Sequence, residues 1–560
     1  MERTLARELR ECIGKQVRVR GFLNQLRLLG KVAFLVLRDR SGFAQIVIES
    51  PEELRKVSAL QIGSILSLTG KAVASQAAFG VEIVSPQIEV ENAIREAPPV
   101  EYNKPEMPES LDFILDHRPL ALRNRREQAV FRIQGEIAHA YRLFMHDTVQ
   151  AVEYFSPNLL GASSEGGAEF FQVDYFGHTA TLAQSSQLYK QIMVGVNERV
   201  FALAPFFRAE PSHTTRHVSE GKQLEFEMGF FHHWHEILDI QESCIKFIVS
   251  YLERRCLDDL ATLGNPLIAA PAGIPFPRLS FQEAQELYFQ RTGKDERGEP
   301  DLSPAAEREL CAWSKETSGT DLLFITDWKS SKRPFYAYPK PENPELTNTF
   351  DLLCAGTEIT SGGQRRHTYE SMLEGLRMKE MDPAHFTDYL SIFKYGMPPH
   401  GGFGMGLERL TMTLLKLKNI REVSLFPSDT KRIAGVRLKA HTFFGGENIR
   451  NEILRLCRER HFQIHHLVHE TAPTSEQAAR VSNAPVDKGI KALILRGKNS
   501  KKNYQFNIPG HLKLDMKAVA DIVHEKCEFE EPAVIQERFG LIVGGVPPLR
   551  QPAPPRQLLR

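Results

Sequence analysis

Short strands follow one another closely through residues 15–93, and this spacing constrains the fold of the N-terminal part. Five segments are β-branched or alternating and are separated by Gly or Ser-Gly turns: Gln16 to Leu23, Val32 to Arg38, Ala44 to Ile48, Ser64 to Val73 and Val81 to Val90. Five strands in so short a stretch predict a small closed barrel, such as an OB-fold. An SH3-like or other barrel without a nucleic-acid role fits the same pattern.

The charge of this segment indicates a polyanionic partner. Residues 1–50 carry ten Lys or Arg against five Asp or Glu, whereas the whole chain has 70 of each kind. A local excess of cations attracts nucleic acid even when the total charge is balanced.

The remaining chain divides into further units. Four prolines between Ala97 and Pro108 indicate an extended linker, and Arg125 to Met145 has the spacing of one long helix. After a mixture of strands and helices, a third unit begins near Lys431, with helical patterns at 448–460 and 516–526 and a strand-like run from Ala492 to Leu495. The predicted domains are a barrel at 1–96, a linker or hinge at 97–124, an α+β domain at 125–432, an α/β domain at 440–549 and a disordered Pro- and Arg-rich tail at 550–560.

Composition also bears on the compartment. Apolar residues make up 42% of the chain, enough for a sizeable core, and the seven cysteines form no C-x-x-C pair. Reduced thiols without a zinc knuckle are expected. There is no apolar N-terminal signal and no run of about 18 apolar residues, so a cytoplasmic protein without a membrane partner is expected.

Three polar clusters carry candidate chemistry, and the first is Phe207 to Glu210, followed by Arg216, His217, Glu225 and Glu227. Arginine forks match the geometry of phosphate oxygens. Taken alone, this cluster is explained slightly better by a solvated, salt-bridged hairpin.

The second cluster is a pair of carboxylates. Asp351 and Glu358 are seven residues apart, and on paired strands they can converge to hold a Mg²⁺ ion that bridges phosphates. Two isolated carboxylates at this spacing are more often surface charge.

The third cluster is the glycine-rich stretch from His400 to Leu410. Its glycines permit close backbone approach, and Arg409 falls near the first turn of the helix that follows. The spacing matches neither a P-loop nor a dinucleotide fingerprint.

Together and in this order, the clusters resemble class II aminoacyl-tRNA synthetases. Phe207–Glu210 is similar to motif 2, Gly404–Arg409 to motif 3, and Tyr154–Leu160 to motif 1, the dimer-forming segment. Further stretches resemble aspartate–tRNA ligases of the archaeal and eukaryotic type: Ser164–Gly167, Gln184–Gln191, Lys332–Tyr336, Ser361–Arg365, Tyr395–His400 and Asn419–Pro427. The resemblance covers residues 15–430 and implies an OB-fold anticodon-binding domain before a class II antiparallel sheet with flanking helices.

The resemblance also implies roles for the matching residues. Arg208, Glu210 and Arg409 would be catalytic, with Asp351 and Glu358 holding Mg²⁺. ATP would contact Arg208, Glu210, His217, Glu358, Gly406 and Arg409. Aspartate would contact Ser164, Glu165, Gln187, Lys190, Ser361 and Arg365. Phe34 and Gln45 would meet the anticodon bases, which agrees with the use of exposed aromatics for single-stranded bases, although Phe34 also fits a core strand position.

Three positions depart from the family pattern. Gly221 lies where a Phe usually stacks on adenine, Ser186 replaces a Pro, and Asn24 lies where an aromatic or His tunes anticodon choice. The first departure predicts a raised KM for ATP that Gly221→Phe partly corrects.

The C-terminal stretch from 440 to 549 resembles a different family, the YbaK or prolyl-tRNA-deacylase-like editing domains. The matching residues are His469-Glu470, Thr474–Ala479, Lys491–Leu495, Leu514-Asp515 and Gly544–Pro548. The resemblance implies that Lys491 holds an aminoacyl-tRNA end while water attacks the ester. A Lys beside a strand is also common as plain surface charge.

The expected reaction has two steps, formation of aspartyl-adenylate from ATP and transfer to tRNA(Asp), with tRNA(Asn) a second candidate acceptor. The expected partners are tRNA, ATP, L-aspartate and a second copy of the chain, with neither membrane nor DNA among them.

Asparagine–tRNA ligases share most of these motifs, but Lys190 suits a carboxylate better than an amide. A synthetase-like RNA-binding protein without activation chemistry is the other alternative, and Gly221 is its only support.

Overall fold

The structure is a computed structural model that describes residues 2–76, 79–161, 170–210, 214–438, 477, 490–509, 511–531, 534 and 556–558. The chain divides into two compact units, Met1–Val436 and Arg437–Arg560.

A closed five-stranded barrel begins the first unit and confirms the predicted OB-type fold. Its strands pair in the order β1-β2-β3-β5-β4, and β1 also pairs with β4. Their bounds are β1 Gln16–Leu29, β2 Val32–Arg38, β3 Phe43–Ile48, β4 Ile65–Ala74 and β5 Val81–Asn92. Alternate side chains point inward, so Leu35, Ile46 and Leu68 are buried in the barrel core. Helix α1 (Pro51–Val57) follows β3 and is capped by Ser50.

The stretch from Ala97 to Pro108, predicted to be an extended linker, contains neither helix nor strand. The remainder of the predicted linker or hinge, 109–124, is helical and packed. It contains helices α2 (Leu111–Asp116) and α3 (Arg118–Ala121). The Arg118 guanidinium is buried and donates to the carbonyl oxygens of Ser424 and Leu425. The four prolines of the predicted linker precede these helices, and a buried cation with several acceptors holds the helical part in place.

An eight-stranded sheet forms the centre of the first unit, in the order β12-β13-β16-β17-β18-β11-β10-β6. Inner neighbours are antiparallel, and the edge strands β12 and β6 run parallel to theirs. The bounds are β6 Val152–Glu153, β10 Arg199–Phe207, β11 Glu220–Gly229, β12 Arg278–Ser280, β13 Leu322–Thr326, β16 Thr349–Cys354, β17 Thr357–Arg365 and β18 His400–Gly406. Three smaller sheets pair short strands: β7 Leu159–Leu160, β8 Gln172–Tyr175 and β9 His178–Leu182; β14 Pro339–Lys340 and β15 Asn343–Thr347; β19 Arg432–Ile433 and β20 Val436–Arg437.

Helices α4 (Arg125–Leu143), α6 (Glu236–Arg255) and α12 (Leu407–Leu414) share one apolar core with the large sheet. The predicted helix over Arg125 to Met145 is thus confirmed, and a single π-turn at Phe144–Thr148 extends it. The other helices are α5 Gln187–Asn197, α7 Leu257–Thr262, α8 Phe281–Thr292, α9 Pro304–Ser318, α10 Tyr369–Met378 and α11 Thr387–Lys394. Within the described ranges, no helix has the length and apolarity to cross a membrane.

The second unit contains a four-stranded sheet in the order β23-β21-β22-β24. Its elements are β21 Ile490–Gly497, β22 Asn503–Pro509, α13 Met516–Val523, β23 Cys527–Phe529 and β24 Arg556–Leu558. The strand predicted at Ala492 to Leu495 is present, and the predicted helix at 516–526 ends at Val523 because His524 has a left-handed φ of 60°. The helix predicted at 448–460 lies outside the described residues.

Part of the tail predicted to be disordered is a strand. Arg556–Leu558 pair in parallel with Tyr504–Phe506 of β22. Backbone pairing to an edge strand depends little on side-chain composition, so the Pro- and Arg-rich composition did not reveal it.

Candidate active site

The floor of the candidate site is a row of paired residues that crosses four strands. Glu225 on β11 pairs with Gly404 on β18, Gly404 pairs with Ser361 on β17, and Ser361 pairs with Asp351 on β16. Paired residues present their side chains on the same face of a sheet. A Cβ on Gly404 would lie 3.1 Å from Glu225 Oε2, so glycine leaves the space above the floor open.

Two cavities share this floor. The larger has a volume of ≈ 490 Å³, and the predicted site residues Gln187, Lys190 and Arg365 line it. The smaller has a volume of ≈ 90 Å³, and predicted site residues also line it: Glu210, His217, Gly406 and Arg409. Five residues line both cavities: Arg208, Gln223, Glu358, Ser361 and Gly404. A ligand that occupies both cavities therefore passes Arg208.

Arg208 directly follows the last residue of β10. Its backbone N–H donates to Ser219 O at 2.9 Å, and its guanidinium carbon lies 5.4 Å from the centre of the Phe206 ring. Among the described residues the guanidinium has no carboxylate partner. An arginine fork placed in this way is suited to bind a phosphate or carboxylate of a ligand.

Arg409 reaches the smaller cavity from the first turn of α12. Its Nη1 donates to Glu358 O at 3.0 Å, and its Nε lies 3.4 Å from Arg216 O. Arg216 itself is held by Glu307 at 2.6 Å and by Gly356 O at 2.8 Å. The hairpin between β10 and β11 therefore contributes two arginines with different environments, and Arg208 is the one that lines both cavities.

The carboxylates of Asp351 and Glu358 lie on neighbouring strands, where a bulge between Leu352 and Leu353 shifts the register. Desolvation by the surrounding protein and the charge of Asp351 raise the pKa of Glu358 to about 7, although its side chain remains partly exposed. Asp351 Oδ2 accepts from Arg333 Nη2 at 2.7 Å, whereas its buried Oδ1 has no hydrogen-bond partner among the described residues. In the described part of the chain, no group of three or more His, Cys, Asp or Glu is arranged to hold a metal ion.

Beneath the larger cavity lies a buried ion cluster, which consists of Lys190, Glu225, Glu227 and Arg365. Lys190 Nζ lies 2.7 Å from Glu225 Oε2, 3.3 Å from Glu227 Oε2 and 3.0 Å from Phe403 O. Arg365 Nε donates to Glu227 Oε1 at 2.8 Å. Burial favours the protonated form of Glu227, but Arg365 and Lys190 outweigh it and hold its pKa below the usual value. Two cations and two anions give the cluster a formal charge of zero.

A hydrogen-bonded chain of neutral groups lies close to this cluster. Gln187 Nε2 donates to Gln191 Oε1 at 3.0 Å, which also accepts from Tyr389 OH at 2.8 Å, and Gln191 Nε2 lies 2.8 Å from His400 Nε2. Burial lowers the pKa of His400 to about 4, so the ring is neutral and its Nε2 accepts. Residue types alone did not reveal the roles of Gln191 and His400, although both lie in stretches that carry the family resemblance.

Ser186, which replaces the usual Pro, has a partner of its own. Its Oγ lies 2.7 Å from the hydroxyl of buried Tyr154. Tyr154 begins the motif 1-like segment, so this hydrogen bond connects that segment to the loop that carries Ser185 and Gln187 into the larger cavity.

The remaining predicted residues lie elsewhere. Ser164 and Glu165 lie outside the described residues. Phe34 and Gln45 lie on one face of the barrel wall, because Phe34 pairs with Val47 and Gln45 with Val36. It is the outer face, because the alternating neighbours Leu35 and Ile46 point into the core. Phe34 is thus half-buried and not a core residue, and its other partner is Arg27 on β1. Lys491 in the second unit is half-buried on β21, where it pairs with Ile508.

Comparison with known proteins agrees with this geometry. Residues 110–430 match the family described as tRNA synthetases class II (D, K and N). Residues 17–91 match an OB-fold nucleic acid binding domain, and residues 469–558 match an aminoacyl-tRNA editing domain. The chain is therefore a class II aminoacyl-tRNA synthetase.

Similar proteins narrow this class. An aspartate–tRNA(Asp/Asn) ligase of Thermus thermophilus is 41% identical over 77% of this chain and 99% of the relative. An aspartate–tRNA(Asp) ligase of Pyrococcus furiosus is 37% identical, over 76% and 97%. The crystal structure of asparaginyl-tRNA synthetase from Pyrococcus horikoshii with asparaginyl-adenylate gives a TM-score of 0.70 at 30% identity, over 77% and 99%. The chain belongs to the aspartate–tRNA ligase family.

Proposed function

We propose that the first unit activates L-aspartate with ATP and transfers it to the 3′ end of tRNA. The observation that carries the proposal is the position of Arg208 where the two cavities meet. Aspartate in the larger cavity and ATP in the smaller would bring the α-carboxylate and the α-phosphate together at this guanidinium.

In the first step, an oxygen of the aspartate α-carboxylate attacks the α-phosphorus of ATP. The bond to the β-phosphate breaks, and pyrophosphate leaves with that electron pair. Arg208 and Arg409 neutralise charge on the phosphates, and no enzyme nucleophile is needed. In the second step, the 3′-terminal ribose hydroxyl of tRNA attacks the carbonyl carbon of the adenylate and releases its proton. The bond from that carbon to the phosphate oxygen breaks, and AMP leaves with the electron pair.

The carboxylates of Asp351 and Glu358 fit a Mg²⁺ ion. The partnerless Oδ1 of Asp351 and the half-exposed Glu358 side chain are hard oxygen donors, and the phosphates would complete the coordination. The ion would supply charge neutralisation for the phosphates. Arg333 holds Asp351 Oδ2 and so orients the carboxylate.

The barrel is proposed to bind the anticodon through its outer face. Phe34 offers an aromatic surface beside Arg27, and Gln45 donates to Glu82 Oε1 at 2.6 Å, which fixes its amide. Such a surface suits stacking and hydrogen bonding of single-stranded bases. Charging assays with separate tRNA(Asp) and tRNA(Asn) transcripts decide whether one or both are acceptors.

A homodimer through the motif 1-like segment is also proposed. The edge strand β6 and its continuation expose apolar side chains, since Val152 is 48% and Phe155 88% exposed. Sedimentation of the full chain should give twice the monomer mass, and Phe155→Glu should shift it toward the monomer.

ATP–pyrophosphate exchange measured in parallel with aspartate and asparagine tests the proposed activity. Exchange with aspartate alone supports the proposal. Exchange with asparagine alone would identify an asparagine–tRNA ligase, and no exchange with either would favour an RNA-binding protein without activation chemistry.

The second unit is proposed to hydrolyse an aminoacyl-tRNA ester, with Lys491 holding the aminoacyl end for attack by water. The match of residues 469–558 to an editing domain and the half-buried position of Lys491 on β21 support this role. A purely tRNA-binding appendage is the alternative, because a fold does not fix a function.

For this activity we predict that full-length Lys491→Ala loses most deacylation of the preferred charged tRNA, about tenfold or more for a lost charged contact. The measurement is release of amino acid from a panel of correctly charged and mischarged tRNAs without ATP. Lys498→Ala is the matched control, since Lys498 is exposed and pairs with Glu528 at 3.4 Å. If no ester is cleaved faster by the wild type than by Lys491→Ala, the unit is a binding appendage.

A further inference from the structure

The aromatic ring of Phe206 fills the space above Gly221. The two residues are direct partners on the antiparallel strands β10 and β11. A Cβ built on Gly221 would lie 2.6 Å from Phe206 Cε1 and 2.7 Å from Cζ. Any side chain at position 221 would therefore have to displace this ring.

Phe206 also lines the smaller cavity, together with Arg208 and Arg409. The ring is half-buried, and the Arg208 guanidinium lies 5.4 Å from its centre. An aromatic surface and a phosphate-binding cation thus lie side by side, which matches the base and the phosphate of a nucleotide. The other ring among the residues of this cavity is that of His217, which lies next to Thr214 Oγ1 at 2.6 Å.

We propose that Phe206 supplies the stacking surface for the adenine of ATP. Its partner on the neighbouring strand, Gly221, has no side chain that could stack. This inference rests on the proposed function, because it takes the smaller cavity as the nucleotide site. Stacking of a base on an aromatic side chain is worth about 1–3 kcal/mol, which corresponds to about 5- to 150-fold in affinity.

With Phe206 in this role, Gly221→Phe should have the opposite effect to the lowered KM for ATP that the sequence predicts for it. Gly221→Phe does not restore a missing contact, because two rings would compete for one space. Glu408 Oε2, at 3.0 Å from the same built Cβ, leaves no room on that side either. We expect Gly221→Phe to weaken ATP binding.

The test compares variants that carry an aromatic ring on β10, on β11 or on neither strand. Phe206→Leu should raise the KM for ATP and its dissociation constant by about 5- to 150-fold, and Phe206→Tyr should stay near the wild type. The double variant Phe206→Ala/Gly221→Phe returns one ring to the pair and should bind ATP more tightly than either Phe206→Ala or Gly221→Phe.

Two further readouts separate stacking from a structural role. Inhibition by inorganic tripolyphosphate, which has no base, and the KM for aspartate should change less than about twofold in Phe206→Leu. An unchanged ATP dissociation constant in Phe206→Leu, or equal weakening of tripolyphosphate, would overturn the inference. Equilibrium binding of ATP is measured independently of catalysis, so it tests the role of Phe206 separately from the proposed function. A wild type that binds ATP through Phe206 but shows no exchange would contradict only the proposed function.

Discussion

Arg208→Ala should lower aspartate-dependent ATP–pyrophosphate exchange by about 100- to 1000-fold, the usual loss for one preorganised charge contact to a transition state. Arg208 lines both cavities, so its guanidinium is within reach of a ligand that occupies either of them. Removing it should leave the fold intact, because the contact recorded for its side chain among the described residues is with the Phe206 ring.

Arg409→Ala should produce a loss of similar size. Its guanidinium is fixed by the carbonyl oxygen of Glu358, which places its charge in the nucleotide cavity before ATP arrives. Arg291→Ala is the matched control, since Arg291 lies on α8 and pairs with Glu309 and Glu316 at the surface. Near-normal exchange in purified, folded Arg208→Ala or Arg409→Ala would overturn the site assignment.

Local patterns were sufficient to predict the barrel. Its strands alternate with period two and are separated by glycine turns, and each predicted segment became a strand with small changes at its ends. The largest change is at β1, which continues to Leu29 through a bulge between Leu23 and Gln25. A bulge inserts one residue and so interrupts the period-two alternation, and the residues after Leu23 therefore did not read as part of the same strand.

Contacts between distant segments could not be predicted in the same way. In the sequence, Glu225 and Glu227 are only carboxylates near motif 2. In the structure, Glu225 pairs with Lys190, 35 residues away, and Glu227 pairs with Arg365, 138 residues away. The Phe206–Gly221 pair is closer in sequence, but it depends on the register of a hairpin whose long loop follows no short turn rule. Sequence motifs therefore selected the candidate residues, while the sheet register decided which of them touch.

The buried ion cluster leads to the second large expected effect, on the choice between aspartate and asparagine. A site with buried polar groups built for one substrate can reject another by about 10⁴-fold, and we expect the wild type to prefer aspartate on this scale. In Lys190→Met the cluster keeps Arg365 against Glu225 and Glu227, so its formal charge changes from zero to −1. A buried, uncompensated charge costs about 3–5 kcal/mol, and it repels a substrate carboxylate but not an amide.

We therefore predict that Lys190→Met lowers the ratio of kcat/KM for aspartate to that for asparagine by at least about 100-fold. The ratio is measured by pyrophosphate exchange on one preparation, so an inactive fraction of the enzyme cancels.

The control is Lys190→Met/Glu225→Gln, in which one cation faces one anion and the formal charge of the cluster returns to zero. Because Lys190 already has three acceptors within 3.3 Å, its effect on aspartate should act largely through this charge balance, and the double variant should recover at least about tenfold of the lost ratio. No recovery would mean that Lys190 must instead contact the substrate directly. A wild type that activates asparagine as well as aspartate, or a Lys190→Met enzyme with an unchanged ratio, would show that the buried ion cluster does not select the amino acid.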